Sequence, residues 1–213
     1  MSEQLRVFLL LVPIVLVSLT LHELAHGWVA YLLGDPTAKI LGRLSFNPIV
    51  HLDPLGSAMF VISYWGPGWL FGWAKPVPVN PAAFEPHPQR GMAVVALAGP
   101  ATNFALALGL GAVLAHGTYS VTATQVLVYA FQTNIVLGVF NLLPIPPLDG
   151  SRIVAGFMSR EAYMSWAQLD QYGPLFLVGI LVLFQSQTTI LLRGGYEHVA
   201  RIISDIVGGT PLV

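Results

Sequence analysis

The chain has 213 residues, of which 55% are hydrophobic and only 9% are charged, against about 25% charged in ordinary soluble domains. A formal net charge of −1 excludes a large electrostatic partner such as nucleic acid. There are no cysteines, so disulfides, thiolate metal sites and Cys nucleophiles are excluded, and any metal must be held by His and carboxylate. A mean hydropathy of +0.71 is that of a polytopic membrane protein.

The first predicted span is 7–33. Its start, MSEQLR followed by VFLLLVPIVLVSLTL, has the outline of a signal peptide. However, the apolar run continues into HELAHGWVAYLL with no small-residue cleavage site, and cleavage there would remove or split HELAH. Residues 34–90 are rich in Pro, Gly and Asn. They predict a large loop with a few short strands, in KILGRLSF (39–46) and KPVPVN (75–80). Within it, residues 55–73 are apolar, but their Gly-Pro-Gly argues for a re-entrant or interfacial segment rather than a fifth span. The second span is 91–116 and the third 121–143, joined by a tight link of about four residues, GTYS. Three prolines in NLLPIPPLDG (141–150) rule out a regular helix where the third span ends. The fourth span is about 172–192. Val199, Ile202, Ile203 and Ile206 then recur at helical spacing, which predicts a short surface helix over about 196–207.

The expected fold is therefore an all-α polytopic membrane domain with about four transmembrane helices and a partly β loop region. With four spans, Lys39, Arg43, Lys75, Arg90, Arg152 and Arg160 share one side of the bilayer, and Arg6, Arg193 and Arg201 the other. The positive-inside rule then places the long loop in the cytoplasm.

His22, Glu23 and His26 carry the chemistry. On a helix, residues four apart lie about 6 Å along the axis and about 40° apart around it. Two imidazoles can therefore hold one metal ion from the same face, with Glu23 beside them as the general base of a metalloprotease. Three such groups inside an apolar run are costly to bury and are functional by default. A catalytic zinc usually takes three protein ligands. The candidate for the third is Asp149, presented by the proline-rich stretch, with Gly150 supplying backbone freedom beside it; the alternative for Asp149 is a helix N-cap. Two crossings separate His26 from Asp149, so both end on the same side if 55–73 does not span. His51, His87, His116 and His198 lie outside the motifs and read as loop or interfacial residues, although His51 and His87 could fill an open metal position at rest. Two other functions compete with a protease: a transition-metal transporter and a catalytically dead, substrate-binding relative. Neither accounts for Glu directly following the first His.

At these residues the chain resembles the site-2 protease family of intramembrane zinc metalloproteases. HELAHG (22–27) fits the family's first motif, GPATN (99–103) resembles its Gly-x-x-x-Asn motif, and NLLPIPPLDG fits its Asn-x-x-Pro-x-x-x-x-Asp-Gly motif. GDPTAKILGRLSFNPIVHLDPLGS and FGWAKPVPVNP are similar to the loop of a compact bacterial subgroup, and the chain has no room for the PDZ or CBS domains of larger members. The resemblance implies a three-helix catalytic core around one Zn2+, with His22, His26 and Asp149 as ligands and Glu23 as general base. Asn103 and Asn141 would contact substrate or the oxyanion, or steady the site. It further implies a transmembrane protein substrate, held in part by loop strands, and a cell (inner) membrane location with the active site toward the cytoplasm. A homo-oligomer is compatible with the sequence.

Overall fold

The computed structural model describes residues 2–66 and 71–208, the side chain of Asp170 excepted. Helix α1 (Glu3–Leu32) starts at Ser2, whose side chain accepts a hydrogen bond from Leu5 N, and has Glu3 in its first turn. Both features suit a helix N-terminus. Helix α4 (Pro88–His116) has Pro at its first position, where the missing N–H costs nothing. Ser120 caps α5 (Val121–Asn141), leaving only residues 117–120 to turn the α4–α5 hairpin. These three helices are long and apolar enough to cross a membrane, and they pack against one another.

After α1, Asp35 and Pro36 lead into the single turn α2 (Thr37–Ile40). Gly42 follows at φ +66°, in the left-handed region that suits glycine. Asp53 caps α3 (Pro54–Trp65) through Gly56 N. At 12 residues, α3 is about 18 Å long, short of the roughly 30 Å hydrocarbon core. The chain then returns along it. Ser63 Oγ is within hydrogen-bond distance of both Phe71 N and Phe71 O, Gly72 lies against Gly56 and Phe60, and Leu52 forms a bridge with Ala74. The residues on either side of this segment therefore lie side by side. Its far end lies near the start of α1, where Phe8 packs on Phe60, Tyr64 and Trp65 and Tyr64 Oη donates to Gln4 O. Residues 67–70 of the expected re-entrant segment lie outside the described residues.

The expected strands do not form. Among the described residues the only β pairing is the isolated Leu52–Ala74 bridge. The 39–46 stretch enters α2 and then turns at Gly42. The 75–80 stretch has no regular secondary structure and offers no free donors over 75–78. Pro76 and Pro78 have no N–H, Lys75 N donates to His51 O, and Val77 N donates to the Glu23 carboxylate. The loop is instead held by single anchors, which include Arg43 to Lys75 O and Asn80 N to Asp35.

Beyond α5, residues 142–148 form turns that lead into α6 (Asp149–Ala155), packed on α4. Helix α7 (Arg160–Ala167) follows. The region expected as a fourth span, about 172–192, comprises α8 (Gly173–Leu183) and the beginning of α9 (Gln185–Val207), which meet at 95°. The helix expected over 196–207 is the second half of α9. It runs along the α4–α5 hairpin, from Gly195 against Val139 to Val207 O, which accepts from His116. Ala107, Phe131, Ile135, Ala200 and Ile203 form the core between them.

Candidate active site

Helix α1 places His22 and His26 on one face, their rings 4.7 Å apart and nearly perpendicular. Asp149, at the first position of α6, completes the cluster. His22 Nε2 and His26 Nε2 are 3.1 Å apart, and each is 3.2 Å from Asp149 Oδ2. All three residues are buried. The structure thus brings together residues separated by more than 120 positions, because α1 and the end of α5 meet at the same end of the bundle. Asp149 is not the helix cap, a place taken by Leu148. Gly150 is not among the glycines at positive φ, contrary to the expectation of unusual backbone freedom. Its lack of a side chain is needed because a Cβ there would collide with Leu142 O.

The protonation pattern follows from the outer partners. His26 Nδ1 is 2.7 Å from Val95 O, and a carbonyl only accepts, so Nδ1 carries the proton. His22 Nδ1 is 2.6 Å from Asn103 Oδ1, which likewise fixes the proton on Nδ1. In the neutral imidazoles both Nε2 atoms then present lone pairs. They converge on Asp149 Oδ2, a buried oxygen with no hydrogen-bond donor. Two nitrogen lone pairs and a carboxylate oxygen at this spacing repel one another unless a cation lies among them. The donor set, N2O with no sulfur, is one that zinc accepts, and the outer hydrogen bonds are those that orient metal-binding histidines. His22, His26 and Asp149 could therefore hold one metal ion.

Glu23 lines the same cavity of about 430 Å³, with His22, His26, Asp149, Asn141 and apolar side chains from α1, α4, α5 and residues 71–79. Its Oε2 accepts from Val77 N at 2.8 Å. Asn141 lines the cavity, with its Nδ2 donating to Leu137 O. Asn103 does not line it. That residue is fully buried and uses both polar atoms inside the bundle. His51 lies on a different cavity, between α1, α3 and α5, and His87 precedes α4.

Sequence reasoning did not find the backbone partners Val95 O and Val77 N, since a main-chain group has no sequence signature. It also passed over Asn134 and Ser18, which carry Asn103. A signal for Asn134 existed, as a strongly polar amide inside an apolar span.

Known proteins agree with this chemistry. The model of peptidase family M50 matches residues 10–121 and 115–183. YwhC of Bacillus subtilis, which bears the name of a zinc metalloprotease, is 42% identical over 208 residues, covering 92% of this chain and 91% of its own. Rip2 of Mycobacterium tuberculosis, named likewise, is 34% identical over 95% of this chain and 75% of its own. Zinc metalloprotease MJ0392 of Methanocaldococcus jannaschii is 27% identical over 68% of this chain and 33% of its own. No solved structure is a significant match. These likenesses favour the protease over the transporter. The chain belongs to peptidase family M50, the site-2 protease family, and is a zinc metalloprotease.

Proposed function

We propose that this protein hydrolyses peptide bonds within or near transmembrane helices of membrane-protein substrates, with His22, His26 and Asp149 holding zinc and Glu23 as general base. The observation that carries this reading is the convergence of the two Nε2 lone pairs and Asp149 Oδ2 beside Glu23, in an apolar cavity among helices able to cross a membrane.

Zinc, when held there, would acidify a water and polarise the scissile carbonyl. Glu23 takes the proton of the attacking water as the new C–O bond forms, and delivers it to the amide nitrogen as the C–N bond breaks. Val77 N–H holds the Glu23 carboxylate in place by donating to its Oε2. One N–H of Asn141 is committed to Leu137 O, and the second is available to the developing oxyanion. Asn103 steadies His22 instead of touching substrate, since it is sealed off from the cavity.

A transmembrane helix hides its peptide groups in its own hydrogen bonds, so it must unwind before attack. Edge pairing along 75–78 is unsupported, because that stretch has no free N–H. The mainly apolar cavity walls supply the holding surface for the unwound segment. The excess of positive charge on the loop side supports a cell-membrane protein with its active site toward the cytoplasm.

The test is cleavage of a single-span substrate by purified protein in detergent, beside Glu23→Gln, with zinc measured on both. Glu23→Gln retains about one zinc and loses at least about 10²-fold in rate, the usual scale of general-base catalysis. Undiminished cleavage by Glu23→Gln would sink the mechanism.

A further inference from the structure

Behind the metal cluster lies a buried polar chain with a defined direction. Asn134, on α5, has its amide nitrogen 2.8 Å from Ala130 O and 3.0 Å from Ser18 Oγ on α1. A carbonyl cannot donate, so this side of Asn134 must be the NH2, and its Oδ1 faces the other way. There it meets the Asn103 amide at 3.0 Å. An oxygen facing that amide must receive a donor, so Asn103 turns its NH2 toward Asn134 and its Oδ1 toward His22. Asn103 Oδ1 then requires a proton on His22 Nδ1, 2.6 Å away, and that leaves the Nε2 lone pair pointing at the metal position. Each link fixes the next. The origin is a main-chain carbonyl, which has only one polarity.

We infer that Asn134, held by Ala130 O and Ser18, is a positioning residue for the metal centre. It sets which way the Asn103 amide points, and so sets the tautomer of His22. Asn134 and Ser18 are each only 2% exposed and Asn103 is fully buried, so the chain is shielded from bulk solvent. Were Asn103 to flip, its NH2 would face His22 Nδ1. The ring would then carry its proton on Nε2, where it blocks the metal. Asn134 makes the flip unfavourable, because a flipped Asn103 would set two oxygens against each other. A purely structural interhelical bond would need no such polarity. This inference rests on the zinc reading of His22, His26 and Asp149.

The experiment measures zinc affinity of the purified full chain by competition with a chromophoric chelator, and the His22 tautomer by 15N NMR of the zinc-free protein. Asn134→Asp, as the protonated acid, retains an oxygen acceptor for Asn103 and a donor for Ala130 O, whereas Asn134→Ala retains neither. Outer partners of metal ligands change affinity by roughly 10–100-fold. The expected result is about a tenfold loss of zinc affinity in Asn134→Ala, with part of the His22 signal moving to the Nε2–H form. Asn134→Asp stays within about threefold of native on the same scale. In the Asn103→Leu background, Asn134→Ala has no further effect on zinc, because its route is already cut.

Native affinity in Asn134→Ala overturns the inference, as do equal losses in the Ala and Asp variants or multiplicative losses in the double variant. If Asn134→Ala does not fold, the Asp variant decides: a displaced His22 tautomer there overturns the inference, and a native one upholds it. Failure of the native chain to bind zinc would overturn the metal reading itself. Zinc binding that is indifferent to residue 134 would overturn only this inference.

Discussion

Glu23 Oε2 accepts a hydrogen bond from Val77 N at 2.8 Å, which ties the proposed base on α1 to a loop residue 54 positions downstream. The loop therefore orients the proposed catalytic carboxylate as well as lining the same cavity. Val77→Pro removes this one donor, in a stretch already flanked by Pro76 and Pro78. A hydrogen bond to a charged group contributes about 1.5–3 kcal/mol. The expected outcome is a roughly 10–100-fold slower cleavage at unchanged zinc content. Zinc content and rate are measured on the same preparation, and a native rate would remove the loop from the mechanism.

Gly99 on α4 faces the His22–His26 pair. A Cβ added there would lie 2.5 Å from both His22 Cε1 and His26 Nε2, closer than any real contact. Gly99→Ala should therefore displace the ring pair, cost about 1–3 kcal/mol of stability as an overpacked site, and lower zinc affinity at least about tenfold. Gly109, which meets nothing within 4 Å, is the control, and Gly109→Ala should leave zinc affinity unchanged.

With zinc held at the proposed site, its removal leaves Asp149 Oδ2 facing two nitrogen lone pairs. Chelation should lower the melting temperature, since a ligand that binds only the folded state stabilises it. Asp149→Asn reverses the relationship, because an amide N–H can donate to Nε2. The variant should be about 1–2 kcal/mol more stable than the zinc-free native chain, yet bind zinc at least about 10²-fold more weakly. Thermal melts with and without chelator check both halves. A variant less stable than the zinc-free native chain would contradict the lone-pair assignment.

Asp35 gives the pH dependence. Its carboxylate is fully buried and accepts from Thr37 N, Thr37 Oγ1 and Asn80 N. Burial pushes its pKa up, but the Thr37 and Asn80 donors outweigh burial and hold it below the ordinary carboxylate value. The folded pKa is depressed, so the stabilisation is fully present above the unfolded value of about 4 and is lost as pH falls through the folded pKa. Asp35→Asn should be less stable than native at neutral pH, and the gap should narrow below pH about 4. Melting curves across pH 3–7 measure it; a gap that does not narrow would remove Asp35 from the acid response.

The sequence alone determined the helices α1, α4 and α5 to within a few residues, and it pointed to His22, His26 and Asp149, which the structure brings into one cluster. These were legible because their causes are local: helical spacing puts the two imidazoles on one face, hydropathy marks the long helices, and prolines break the chain before Asp149. Only the tertiary structure decided the rest. The 39–46 and 75–80 stretches have strand-like composition, yet a strand requires a partner with matching free N–H and C=O groups. Pro76, Pro78 and the bonds from Lys75 N and Val77 N leave no free N–H over 75–78, and 39–46 enters α2 and turns at Gly42. The 95° break between α8 and α9 accompanies the packing of Ala200 and Ile203 onto α4 and α5, a contact between distant segments that hydropathy does not record. The partners of His22 and His26 come from α4, and those of Asn103 from α5 and, through Asn134, α1. Their polarity is set by main-chain carbonyls at Val95 and Ala130, and every residue has such a carbonyl, so only three-dimensional proximity selects the ones that matter.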